Sequence, residues 1–169
     1  STAGPTGAYI YHAKTASSKV ADVYPYSPSE GVADIKVLLK DGELPSQEIL
    51  DTIKEAISAD KVRPLTDHVI VSAPDTVDFD IDIKYYIPRP SANSGTIIAQ
   101  KVAKAVDEYI KWQTEKIGRD INPSYLISLI MKTGVKRVEV TNPEFIQIQN
   151  NEVPKLVNSN IVNGGVEDE

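Results

Sequence analysis

A chain of 169 residues, 41% hydrophobic and 25% charged, is long enough to bury a substantial core as one domain or as two small halves. Lys+Arg total 18 against 24 Asp+Glu, and the resulting net charge of −6 repels phosphate backbones and argues against a nucleic-acid partner. Cysteine is absent, which removes disulfides, thiolate nucleophiles, iron–sulfur clusters and cysteine-based zinc sites, and no apolar run approaches the ~18 residues that cross a membrane as a helix.

The opening STAGPTGAY, with Gly4, Pro5 and Gly7 close together, reads as a linker over residues 1–7 at the cut edge of a longer chain. No charged start followed by an apolar segment marks a secretory signal, and a reducing cytosol suits the composition. Ala8–Ser17 predicts a short helix, and Val20–Tyr26 (VADVYPY) a strand that Pro25 confines to a sheet edge. Val32–Lys40 places Ala33, Ile35, Val37 and Leu39 on one face and Asp34 and Lys36 on the other, the pattern of a half-buried strand. Asp41-Gly42 ends it. Pro45-Ser46 opens a helix to about Ala59 with Ile49, Ile53, Ala56 and Ile57 as its apolar stripe.

Arg63-Pro64 interrupts the chain, and His68–Ala73 (HVIVSA) predicts a central strand. Val77–Ile87 (VDFDIDIKYYI) predicts the next. Ser94 is the expected N-cap of a long helix to about Lys116, with Ile98, Val102, Ala105, Tyr109 and Trp112 on its buried side. Asn122-Pro123 opens a short helix expected to bury Leu126, Ile127, Ile130 and Met131, which Gly134 ends in a left-handed conformation. Val135–Val140 (VKRVEV) predicts a strand and Phe145–Ile148 (FIQI) a weaker one. Residues 151–169, rich in Asn and closing in GGVEDE, read as loop and then disordered tail.

Together these elements predict an α+β fold: two-layer α/β sandwiches with mainly antiparallel sheet, in two halves at 8–75 and 76–150. The order strand, helix, strand, strand, helix, strand from Val32 to Val140 is that of a ferredoxin-like split unit. VADVYPYSP (20–28) and VKRVEVTNP (135–143) share Val, Val and Pro in register, an echo that would accompany an internal duplication.

Sequence motifs that carry a mechanism are absent: no phosphate-binding glycine loop, no dinucleotide fingerprint, no H-E-x-x-H, no nucleophile elbow and no EF-hand loop. The two histidines, His12 on a helical turn and His68 beside Asp67 at a strand start, are assigned structural roles, because neighbours on a strand point to opposite faces and do not form a triad unaided. The row Asp78, Asp80 and Asp82 is the one constellation that invites chemistry. Residues two apart on a strand are separated by roughly 6.6 Å, so two neighbouring carboxylates can just share a divalent ion, while three in line cannot. The odd positions Val77, Phe79, Ile81, Ile83, Tyr85 and Ile87 form an unbroken apolar stripe, so the aspartates are explained as the wet side of a strand without any metal. Cross-strand compensation by Lys36, Arg137 and Glu139 is expected. No catalytic, cofactor-binding or metal-ligating residue is therefore assigned.

From roughly Ala8 to Ile148 the chain resembles the baseplate J-like family of contractile-tailed phages and related tail-like particles. The likeness rests on VADVYPYSP, PSQEILDTIKEAISADKVRPLTD (45–67), HVIVSAPDTVDFDIDIKYYI (68–87) and GRDINPSYLISLIMKTGVKRVEVTNP (118–143), in that order and spacing. The resemblance implies a structural wedge component of a tail baseplate, synthesised in the bacterial host cytoplasm and acting through contacts with other wedge or tail proteins or with itself. It implies no cofactor, no membrane and no small-molecule substrate. Contacts are expected at sheet edges, near Val20–Tyr26 and near Phe145. The competing readings are a ferredoxin-like module that binds a small molecule or regulates, and a divalent-metal enzyme built on Asp78, Asp80 or Asp82.

Overall fold

The computed structural model describes residues 4–59 and 68–168. Arg63, Pro64 and Asp67 lie outside them, as do the first three residues of the expected linker. The rest of that expected linker is helical: α1 spans Gly4–Ala16. A proline in a first turn costs no hydrogen bond, because the leading N–H groups of a helix have no partner inside it.

Two compact units follow from the packing. Unit 1 comprises the chain to Thr76 together with Glu115–Gly118 and Gln149–Val153, and unit 2 comprises Val77–Thr114, Arg119–Ile148 and Pro154–Glu169. The main division falls between Thr76 and Val77, and two short later segments join unit 1.

In unit 1, β1 (Val20–Tyr26), β2 (Val32–Leu39) and β3 (His68–Ser72) form a sheet in that order. β1 is antiparallel to β2, with Val23 opposite Val37 and Pro25 opposite Ile35, and it occupies the edge that Pro25 requires. β2 and β3 are parallel, with Ile35 opposite Val71. Parallel neighbours need a crossover, and α2 (Gln47–Ala59) lies in that connection. The odd positions of β2 meet Ile53 and Ile57 of α2, Tyr9 and Ala13 of α1, and Val69 and Val71 of β3 in one core. The expected half-burial of β2 is exceeded: from Ala33 to Leu39 every residue is buried. Ile117 and Val153, supplied by the two later segments of unit 1, pack with Leu38 and Tyr24 on the opposite face. A fully buried aliphatic side chain contributes about 1.5–3 kcal/mol, so covering Leu38 is a substantial term for unit 1.

In unit 2, β4 (Asp75–Pro88) is central, flanked by β5 (Arg137–Asn142) and β6 (Glu152–Glu167). β5 is antiparallel to β4, with Tyr85 opposite Val138. Along β6 the partners of β4 advance in the same direction: Asp80 meets Asn158 and Asp82 meets Asn160, each 78 positions on, and Gly164 lies against Tyr86 at the same offset, so the two strands run parallel. Phe79, Ile81, Ile83, Tyr85 and Ile87 face Ile98, Val102, Val106 and Tyr109 of α3 (Gly95–Thr114) and Leu126 and Ile130 of α4 (Pro123–Met131).

Several local expectations need correction. Ser94 closes a 3-10 turn, Arg89–Ser94, that runs into α3 at Gly95. α4 starts as expected, the Asn122 side chain accepting from the Ser124 N–H at 3.0 Å. It buries Leu126, Leu129 and Ile130, an i, i+3, i+4 stripe, which turns Ile127 and Met131 out to solvent. FIQI is reduced to one antiparallel bridge between Ile121 and Ile146. The expected disordered tail is the strand β6, because Leu156, Val157, Ile161 and Val162 supply strand propensity and β4 offers an open edge.

The fold is α+β, and among the described residues the strands are divided between two mixed three-stranded sheets rather than forming one ferredoxin-like sheet from Val32 to Val140. Each sheet has a central strand with one antiparallel and one parallel neighbour, and β1 and β5, the strands of the sequence echo, hold equivalent antiparallel edge positions. Their wiring differs, since β1 is followed directly by its central strand while β5 comes after its own.

Candidate functional site

The aspartate row lies on the even positions of β4, and its neighbours are amides rather than cations. The Asp80 carboxylate accepts from the Asn158 backbone N–H at 3.1 Å and from the Asn158 side-chain amide at 3.2 Å, and Asp82 accepts from the Asn160 amide at 3.1 Å. The expected compensation from Lys36, Arg137 and Glu139 does not occur there. Lys36 pairs with Asp34 at 3.4 Å, and Arg137 with Glu139 at 2.6 Å and Glu167 at 2.8 Å. Among the described residues no three His, Cys, Asp or Glu side chains converge in the manner of a metal site.

Further along the same sheet, the Arg137 guanidinium sits 3.8 Å from the centroid of Tyr86 and reaches Glu167 with two hydrogen bonds, from Nε at 2.8 Å and Nη2 at 3.0 Å. Such bidentate pairs are directional and short. Arg137 holds the Glu167 carboxyl below the usual carboxylate range, and Arg89, bonded to Asp168 at 2.8 Å, does the same there. Lys136 donates to the Asp168 carbonyl. An added Cβ at Gly164 would stand 2.5 Å from the Tyr86 ring, so the ring occupies the space a larger residue would need. The C-terminal end of β6 is thus pinned by three cations and one aromatic ring.

Unit 1 contains a second polar group that composition alone conceals. Asp34 and Lys36 share side-chain exposures of only 11%. Ser72 donates to Asp34 Oδ1 at 2.7 Å, Tyr26 to Oδ2 at 3.2 Å, and the Asn151 amide to Tyr26 Oη at 3.2 Å. Asp22 accepts from the Ile117 N–H at 2.8 Å, and the Gly118 N–H donates to the Glu152 carbonyl at 2.7 Å. The strand alternation made Asp34 and Lys36 look solvated; the covering segments come from distant sequence, which no local pattern reveals.

In unit 2 the fully buried Gln113 was likewise not foreseen. Its Oε1 accepts from Tyr109 Oη at 2.8 Å and the Asn122 N–H at 2.9 Å, while its Nε2 donates to the Asp120 carbonyl at 2.9 Å. Burial pushes the Tyr109 phenol well above its ordinary range. Trp112 is only partly buried, between Tyr125 at 4.3 Å and the Arg119 guanidinium at 4.1 Å. His12 makes an edge contact with Tyr11 at 5.3 Å, and His68 is exposed, its backbone N–H bonded to the Gly31 carbonyl.

Among the described residues, the Asp34, Gln113 and Arg137 groups are each bonded within one unit, and the order of the two units matches a known pair of domains. A family model described as the baseplate J-like central domain matches residues 1–73, and one described as the baseplate J-like protein C-terminal domain matches residues 77–161. The chain belongs to the baseplate J-like family. Baseplate protein J of Escherichia phage P2 is 35% identical over 144 residues, a match covering 85% of this chain and 47% of the phage protein. The chain therefore spans about half the length of that relative. A chain in the cryo-EM structure of the anti-feeding prophage baseplate, 6-fold symmetrised, has a TM-score of 0.63 and 15% identity over 88% of this chain and 36% of that one. At that identity the second likeness is one of fold.

Proposed function

We propose that this baseplate J-like chain is a structural component of the tail baseplate of a phage or phage-like contractile particle, assembled in the host cytoplasm and working through protein contacts rather than catalysis. The observation that carries this reading is the succession of the central and C-terminal baseplate J-like domains over nearly the whole chain. The engagement of Asp80 and Asp82 by asparagines supports it over a metal enzyme. Three cavities among the described residues, of about 240 to 330 Å³, lie around the lower end of the range of ligand pockets. Neighbouring wedge or tail proteins would meet the outer edge of β1 and the exposed Phe145.

The test is incorporation. A tagged copy expressed in cells producing the particle should co-sediment with assembled tails in fixed proportion to the sheath protein, and charged substitutions on the outer edge of β1 or at Phe145 should lower that proportion. Intact tails assembled in the absence of the protein would contradict the proposal. A melting temperature raised by millimolar Mg²⁺, Mn²⁺ or Ca²⁺ would instead favour the aspartate row as a metal site.

A further inference from the structure

The outer edge of β6 stands out from the other sheet edges. It belongs to a strand of 16 residues at the margin of its sheet, and residues 156–166 carry no charged side chain in a chain that is 25% charged. Natural edges are blunted by Lys, Pro or bulges, and this stretch holds no Lys and no Pro. Val157 is 53% exposed and Ile161 38% exposed. The Asn158 N–H is turned toward β4, where Asp80 accepts it, so the alternation along a strand turns the N–H groups of Val157, Ser159 and Ile161 outward.

The sequence along this edge is symmetric in kind about one residue over positions 156–162, though identical only at the asparagines. About Ser159, Asn158 mirrors Asn160, Val157 mirrors Ile161 and Leu156 mirrors Val162. We propose that the free edge of β6 pairs antiparallel with β6 of a second copy of this chain, about a two-fold axis through Ser159.

A two-fold interface brings a surface against itself and so demands a self-complementary one. Antiparallel pairing about Ser159 places Val157 of one copy opposite Ile161 of the other, and Asn158 opposite Asn160. Ser159 meets its own equivalent as a hydrogen-bonded pair, which matches the outward direction of its N–H. Charge complementarity selects the same occupant. A basic or acidic strand would find no opposite charge between 156 and 166, whereas a second neutral strand meets no repulsion there despite the overall charge of −6. One strand pair is a small interface, so the dimer is concentration-dependent. The inference stands apart from the baseplate reading, because it concerns the isolated chain.

The absence of cysteine makes the test clean. Opposite residues of a hydrogen-bonded antiparallel pair have Cα atoms about 5.5 Å apart, inside the range a disulfide spans. Under mild oxidation Ser159→Cys should give mainly covalent dimer, while Ser128→Cys, at an exposed position of α4, should stay mainly monomeric. In sedimentation runs from micromolar to millimolar, the unaltered chain should dimerise. Val157→Lys or Ile161→Asp should each weaken the dimer roughly tenfold or more, and the double variant, which sets each new lysine opposite a new aspartate, should restore it. A chain that stays monomeric throughout overturns the proposal. So does a Ser159→Cys variant that crosslinks no faster than the α4 control, a result that holds even where a charged variant fails to fold.

Discussion

β2 and β4 are the central strands of their sheets, both alternate apolar with charged residues, and they meet opposite fates. On β2 the charged positions Asp34 and Lys36 are buried and bonded to each other, to Ser72 and to Tyr26. On β4 the charged positions stay at the surface, Asp80 and Asp82 accepting from exposed asparagines. The difference does not lie in the strands themselves. Unit 1 folds Ile117 and Val153 onto the second face of its sheet, whereas the second face of the unit 2 sheet carries asparagines, Arg137 and Glu167. An alternating pattern therefore specifies one buried face and leaves the other to be decided by chain that lies far away in sequence.

The largest effect that could break this comparison is at Asp34. Asp34→Ala strands Lys36 in a buried setting and should cost about 3–5 kcal/mol in urea unfolding, the range for breaking one side of a buried ion pair. A loss under about 1 kcal/mol would mean that the second face of β2 is wetter than described. Next is Gly164→Ala, which drives a methyl into the Tyr86 ring held under Arg137. It should cost about 1–3 kcal/mol, with faster amide exchange confined to the end of β6.

Acidification should act on the same clamp. Glu167 and Asp168 have folded pKa values lowered by Arg137 and Arg89, so in the acid range the folded clamp binds fewer protons than the unfolded chain. Its contribution is complete above the ordinary carboxylate values of about 3.9–4.3 and is lost as pH falls through the lowered ones. Exchange protection at Val166 should fall over that window, and Arg137→Gln should flatten the dependence. The smallest effect is expected at Asp80→Asn, within about 0.5 kcal/mol, because an amide oxygen can still accept from Asn158 on an exposed face. If Asp80→Asn matched Asp34→Ala, the contrast between the two strands would collapse.

Much of the molecule was legible in the sequence for a physical reason: amphipathic periodicity reports burial against a single neighbour. The odd face of β4, the stripe of α3 and the Asn122-Pro123 start of α4 all arise from such local signals. Three features were hidden. The face of β2 that carries Asp34 and Lys36 is covered at Leu38 by segments more than 70 residues away, β6 was masked by asparagines that favour turns in isolation, and α4 is apolar on nearly every face, so its true stripe at Leu126, Leu129 and Ile130 could not be told from Ile127 and Met131. Of the candidate site, the aspartate row was correctly placed on the solvent side of its strand, but its asparagine partners could not be named before β6 was known to be a strand.

The late arrival of Ile117 and Val153 also sets a timetable. Synthesis delivers residues up to Thr76 first, but the last residue that covers Leu38 comes about 77 residues later. At translation rates of about 5–20 residues per second, that is a wait of roughly 4 to 15 seconds. Until Val153 is made the cover over Leu38 and Tyr24 is incomplete, a window in which a holding chaperone would find a ready client.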